Sequence, residues 1–201
     1  MPVPYEQLNV RHNPFGELTE AERAELAVVD IDDACDFLRR PHSAVQCLGE
    51  KGFGKTTHLL AIRLRFKEAG YVHIPEGERA AVPDGSPILV DEAQRLTWRQ
   101  RRRVFPESRP LVLGTHRDFE SALRRAGRNV RTIQVHQSTT ADRIYELLNR
   151  RIEHARRSSL PVPSIRPATV QQLQERFGSD VRAMLGWMYE RFETLDHIQE
   201  I

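Results

Sequence analysis

Residues 49–56, Gly-Glu-Lys-Gly-Phe-Gly-Lys-Thr, place three glycines, a lysine and a threonine at a spacing that suits phosphate chemistry. The glycines let the backbone turn with its N–H groups facing inward and let a phosphate approach closely. Lys55 can reach the outer phosphates of a nucleoside triphosphate, and the Thr56 hydroxyl can ligate Mg²⁺. We therefore predict a phosphate-binding loop for ATP or GTP with Mg²⁺, made of Gly49, Glu50, Lys51, Gly52, Phe53, Gly54, Lys55, Thr56 and Thr57.

Two carboxylates, Asp91 and Glu92, directly follow the apolar run Ile88-Leu89-Val90. If that run is a parallel strand, its carboxyl end lies where open α/β sheets bind ligands. We predict that Asp91 holds Mg²⁺ together with Thr56, and that Glu92 polarises the water that attacks the terminal phosphate. The alternative is a pair of acids that only caps the next helix. A glutamate at this place favours hydrolysis over nucleotide storage.

Alternating strands and helices over residues 42–137 must position these groups. Short apolar runs predict strands at 43–48, 71–74, 88–90, 110–115 and 132–135, with helices at 56–69, 92–104 and 119–126 between them. We expect an α/β fold, a three-layer P-loop NTPase sandwich around a central parallel sheet. Residues 138–201 show three helical patterns and are predicted to form a small helical lid. Residues 1–41 are expected to pack on the core.

Composition bounds the class of protein. The chain has 201 residues, 39% hydrophobic and 29% charged, with a net charge of +2, which is ordinary for a globular domain. No apolar run approaches the roughly 20 residues that a membrane span needs, and the N-terminus lacks a signal peptide. We therefore expect a cytoplasmic protein without a membrane partner. The two cysteines, Cys35 and Cys47, are interpreted as small buried residues rather than ligands or a disulfide.

The order of these motifs resembles that of the AAA+ ATPases, in the branch of origin-recognition initiators, ExeA-like ATPases and TnsC-like transposition regulators. By this resemblance, Thr115 after the strand at 110–115 is similar to the sensor-1 residue, with His116 as the alternative. Arg128 occupies a position similar to the arginine finger, with Arg125 as second choice. Arg182 is similar to the sensor-2 arginine of the lid. The alternatives are a strand-end hydroxyl and exposed helical arginines.

The resemblance implies an ATP-hydrolysing protein that assembles with copies of itself and regulates a DNA transaction, directly or through a DNA-processing partner. A basic cluster of Arg99, Arg101, Arg102 and Arg103 could contact phosphates of a nucleic acid, although such a cluster can also be a solvated helix face. The competing hypothesis is a nucleotide-controlled signalling or scaffold switch with little turnover. ATP is favoured over GTP because no Asn-Lys-x-Asp sequence is present.

Overall fold

The computed structural model describes residues 5–201, which form two compact units. We call Val29–Ser138 the sheet unit, and residues 5–28 together with Thr139–Ile201 the helical unit. The first four residues of the expected N-terminal region lie outside the described residues. No helix within residues 5–201 is long and apolar enough to span a membrane.

Five parallel strands form the centre of the sheet unit. They are β1 (Ser43–Leu48), β2 (Gly70–His73), β3 (Ile88–Asp91), β4 (Leu111–Thr115) and β5 (Asn129–Gln134), in the spatial order β2-β3-β4-β1-β5. The predicted α/β fold with a central parallel sheet is thereby confirmed. The last strand begins at Asn129, three residues before the apolar run that predicted it, because its first residues pair with β1 although they are polar.

Helices cover both faces of this sheet, since the strands are apolar on both. Helix α3 (Lys55–Leu64) packs on one face, against β1, β3 and β4, through buried Leu59, Leu60 and Ile62. The other face is covered by α4 (Trp98–Val104) and α5 (Glu120–Arg125), where Val104 and Leu123 join the core. Helix α2 (Asp32–Leu38) packs near β1, as expected for that segment. Alternate residues of β3 therefore face opposite layers, and Asp91 lies on the α3 side.

The continuous helix predicted at 92–104 is wrong. Glu92 adopts a left-handed conformation with φ 59° and ψ 43°, which no α-helix can contain, and a single 3₁₀ turn follows at Ala93–Arg95. Helix α4 starts only after Thr97, whose hydroxyl accepts a hydrogen bond from the amide of Gln100. The Gln100 side chain in turn accepts from the Thr97 amide, which completes a capping box. The break after Glu92 separates the carboxylate pair from the basic helix.

The helical unit combines α1 (Glu20–Glu25), α6 (Ala141–Ala155), α7 (Pro167–Phe177) and α8 (Val181–Glu193). Its core contains Leu8, Val10 and Phe15 from the N-terminal segment beside Ile152 and Phe192 from the helices. The expectation that all of residues 1–41 pack on the core is therefore corrected, because residues 5–28 bury their apolar side chains with the C-terminal helices.

A buried arginine fixes the N-terminal segment to α6. The Arg151 guanidinium donates to the carbonyl of Pro14 at 2.8 Å and also to the carbonyl of Gly16. Burial lowers the pKa of Arg151 to about 10, so it remains protonated at neutral pH. These bonds satisfy carbonyls of an irregular segment that has no strand partner there.

Candidate nucleotide-binding site

The loop at residues 49–54 joins the carboxyl end of β1 to the start of α3. Gly52 and Gly54 have φ values of 91° and 96°, a region that favours glycine. A Cβ atom built on Gly54 meets no other atom within 4 Å, so the loop encloses open space at the N-terminus of α3. A helix N-terminus with free backbone N–H groups attracts anions, and this space is suited to a phosphate.

Lys55 is buried at the base of this loop. Its side chain is only 5% exposed, and its ammonium group donates to the carbonyl of Glu50 at 2.8 Å. The structure thus holds the lysine charge inside the loop rather than in solvent. Gly49 lies against Val135 and Phe53, so its lack of a side chain permits close packing at the start of the loop.

Thr56 and Asp91 meet at the edge of the loop, although 35 residues separate them. The Thr56 hydroxyl donates to Oδ2 of Asp91 at 2.7 Å, and the Asp91 side chain is completely buried. A hydroxyl and a carboxylate are the hard oxygen ligands that Mg²⁺ prefers. The two residues predicted to share the metal are therefore adjacent, and the donor set fits Mg²⁺ bound together with phosphate oxygens and water.

Strand β2 contributes two further side chains that sequence reasoning missed. His73 pairs with Asp91 in register, and its Nδ1 lies 3.1 Å from Oδ2, while the Tyr71 hydroxyl lies 3.5 Å from the same oxygen. On the other side of Asp91, Gly114 of β4 leaves room for the carboxylate. The alternation of Tyr71 and His73 along a strand is a usable signal, but only once β2 is known to be the neighbour of β3.

Glu92 lies at the same strand end with a side chain that is 14% exposed. Its Oε2 atom accepts from the side-chain amide of Gln94 at 2.6 Å and lies 3.5 Å from both Arg95 and His116. The left-handed backbone of Glu92 costs on the order of 1–3 kcal/mol for a residue with a side chain. This strain turns the carboxylate back toward the end of β4 instead of along a helix.

The predicted sensor position has two occupants with different surroundings. The Thr115 hydroxyl is buried and exchanges hydrogen bonds with the backbone of Arg117, donating at 2.8 Å and accepting at 2.9 Å. The alternative, His116, lies 3.5 Å from Glu92 and 3.7 Å from Glu50 of the loop. The imidazole of His116, rather than the hydroxyl of Thr115, is thus the group that faces both acids.

Arg128, the first choice for an arginine finger, is an internal residue, and this prediction is corrected. Only 3% of it is exposed, and its guanidinium donates to four backbone carbonyls, those of Ser43, Val104, Phe105 and Arg109. Burial lowers its pKa to about 10. A guanidinium whose donors are directed at its own backbone cannot reach a neighbouring subunit without breaking this network.

The second choice, Arg125, is exposed at the end of α5. The preceding Arg124 is held by Glu120 one turn earlier, at 2.8 Å. Arg182 is exposed in the first turn of α8, inside the helical unit, where Asp180 caps the helix by accepting from the Ala183 amide. Both Arg125 and Arg182 are therefore accessible on the surfaces of their units.

The basic cluster on α4 divides into two kinds of arginine. Arg99, Arg102 and Arg103 are exposed, and the Arg102 guanidinium stacks on Trp98, 4.7 Å from the ring centroid. Arg101 instead points inward: it donates to the Gln94 carbonyl at 2.7 Å and lies over the Phe119 ring. Burial lowers the pKa of Arg101. The prediction of four surface arginines is thus corrected to three.

Comparison with known proteins places the fold among P-loop NTPases. The chain resembles the Thermotoga maritima RuvB Holliday junction branch migration motor with a TM-score of 0.51 and 17% identity, over 86% of this chain and 60% of that one. A mutant of the same RuvB gives 0.53 and 17%, over 91% and 66%. Cdc6p from Pyrobaculum aerophilum gives 0.52 and 16%, over 94% and 65%.

The chain therefore spans less than two thirds of the length of these relatives. No known protein family matches its sequence, and no curated protein does so either. At identities below 25%, the likeness defines the class of fold, and residue roles rest on the geometry of this chain.

Proposed function

We propose that this chain is an AAA+ ATPase that binds ATP with Mg²⁺ at residues 49–57, hydrolyses it, assembles with copies of itself and takes part in a DNA transaction. The observation that carries the proposal is the convergence of Thr56, Asp91 and Glu92 at the ends of β1 and β3, beside the buried Lys55. A phosphate loop alone implies binding; a glutamate next to the metal-binding aspartate supports hydrolysis.

The chemistry divides among a few side chains. Backbone N–H groups of the loop and of the first turn of α3 bind the phosphates, and the Lys55 ammonium offsets the charge of the outer phosphates. Mg²⁺, held by Thr56 and Asp91, supplies positive charge that offsets the charge developing during phosphoryl transfer. Glu92 orients the attacking water and accepts its proton. ATP is preferred over GTP on the sequence argument above.

Assembly is proposed to complete the site through Arg125. This arginine ends α5 on the surface of the sheet unit and takes the place of the buried Arg128 as the candidate finger. An arginine supplied by a neighbour is worth about 10³–10⁵ in rate in GTPases. The exposed Arg182 is proposed to contact the nucleotide from the helical unit.

An ATPase assay over a range of protein concentrations tests this assembly. The specific rate should rise with concentration in the wild type and stay low in Arg125→Ala. Arg124→Ala is the matched control, because Arg124 is paired with Glu120 in its own helix. A rate that is independent of concentration and of Arg125 overturns the shared site. Negligible turnover with nucleotide-dependent assembly would instead favour a switch.

Contact with DNA is proposed for the exposed face of α4. The helix contains no acidic residue, and Arg99, Arg102 and Arg103 surround a Trp98 side chain that is 67% exposed. The chain's likeness to a branch migration motor supports nucleic acid as the partner, in addition to a possible DNA-processing protein.

The salt dependence of DNA binding tests the α4 face. Each lost phosphate contact lowers the slope of log affinity against log salt by about one, so replacing all three exposed arginines by alanine should lower it by about three. Arg79→Ala, an exposed arginine of the β2–β3 connection, should leave the slope unchanged. Equal slopes in the triple variant and the wild type would remove α4 as the contact.

A further inference from the structure

We propose that Gln94 and Arg95 are positioning residues that fix one oxygen of the Glu92 carboxylate and leave the other to act on the attacking water. The inference rests on the proposed ATPase function and names residues to which neither the motif nor the relatives assign a role. Both residues belong to the 3₁₀ turn at Ala93–Arg95, directly after Glu92.

The contacts on Glu92 are asymmetric. Oε2 accepts from the Gln94 amide at 2.6 Å and from the region of the Arg95 guanidinium at 3.5 Å. Within residues 5–201, no donor reaches Oε1. One oxygen is therefore anchored while the other retains its lone pairs, which is the arrangement that a base needs to hold a fixed direction toward a water.

The two anchors are themselves tied to the sheet. The Gln94 side-chain oxygen accepts from the His116 amide at 3.4 Å, just after β4. Arg95 donates to the Ile74 carbonyl at 2.7 Å, just after β2. Because β2 and β4 flank β3 on either side, Glu92 is braced from both neighbouring strands. Its own left-handed backbone would otherwise allow the side chain to take several directions.

Steady-state kinetics of the full chain test these roles. Gln94→Leu and Arg95→Gln should each lower kcat about tenfold or more while KM for ATP stays within about twofold, as expected when supporting contacts of a catalytic group are lost. Arg95→Lys keeps the cation and should recover part of the rate. Arg79→Gln, the same substitution on an exposed arginine, should behave as the wild type.

The outcomes separate this inference from the proposed function. A wild type whose hydrolysis depends on Glu92, with Gln94→Leu and Arg95→Gln at wild-type kcat, overturns the positioning roles and leaves the ATPase intact. A KM that rises together with the fall in kcat, or no recovery in Arg95→Lys, also overturns them, since it indicates general damage to the site. A wild type without Glu92-dependent hydrolysis overturns both.

Discussion

The Thr56 hydroxyl lies 2.7 Å from Oδ2 of Asp91 and joins the first turn of α3 to the end of β3. Thr56→Val removes that oxygen while nearly keeping the volume. We expect Mg²⁺-dependent nucleotide binding to weaken at least tenfold, since one of two protein oxygens for the metal is lost. Titration of a fluorescent ATP analogue with and without Mg²⁺ measures this. Thr169→Val on α7 is the control, and an unchanged Mg²⁺ dependence in Thr56→Val would contradict the assignment.

A second prediction concerns the space beside Asp91. A Cβ atom at Gly114 would lie 2.6 Å from Oδ1 of Asp91 and 3.3 Å from Leu59. Gly114→Ala should therefore displace the carboxylate, lower the free energy of unfolding by about 1–3 kcal/mol, and weaken the Mg²⁺ dependence of binding. Urea unfolding and the same titration check it.

The control for Gly114→Ala is another glycine with open surroundings. Gly186 lies inside α8, and a Cβ there meets nothing within 4 Å. Gly186→Ala should stabilise the protein by about 0.5–1 kcal/mol, because alanine is the better helix former. If both substitutions shift the unfolding midpoint in the same direction, the steric explanation fails.

Arg128 should prove to be a residue of stability. Arg128→Met leaves four buried carbonyls without their donor, so we expect the free energy of unfolding to fall by at least about 3 kcal/mol. Arg125→Met, on the exposed end of α5, should change it by less than about 0.5 kcal/mol. Denaturant unfolding of both variants makes the comparison, and a wild-type midpoint for Arg128→Met would return this residue to the surface.

Acid sensitivity of the helical unit should depend on Glu22. Hydrogen bonds from the hydroxyl and amide of Thr19, together with His154, lower the pKa of Glu22 from 4.5 to about 2. Because the folded pKa is lowered, the stabilisation is complete above pH 4.5 and is lost as the pH falls toward 2.

Glu22→Gln isolates this contribution. The stability difference between wild type and variant should be present at pH 7 and shrink at pH 3, as measured by urea unfolding. Glu25→Gln, on the exposed side of the same helix, should show no such change. A difference that grows on acidification would contradict the sign of the shift.

The sequence was most informative where chemistry and local pattern agreed. The glycine spacing of residues 49–56 and the apolar runs before Gly49 and Asp91 were enough to predict the loop, the parallel strands and the Thr56–Asp91 pair. Each of these depends on contiguous residues or on the rule that parallel strands end at one edge.

Predictions that depend on side-chain direction were less secure. Arg128 and Arg101 lie in segments rich in exposed arginines, and nothing local distinguishes the buried members, whose partners are carbonyls distant in sequence. The break after Glu92 could not be predicted either, because its left-handed backbone is stabilised by contacts from β2 and β4. The packing of residues 5–28 with the C-terminal helices is likewise a long-range choice between two apolar surfaces.

The central claim, that Glu92 makes this phosphate site hydrolytic, is tested most directly by phosphate release from ATP in Glu92→Gln. The substitution keeps the shape of the side chain and removes the base. The account predicts that ATP binds with nearly wild-type affinity while phosphate release falls at least about 100-fold. Wild-type release by Glu92→Gln, or a wild type that binds ATP and releases no phosphate, would contradict it.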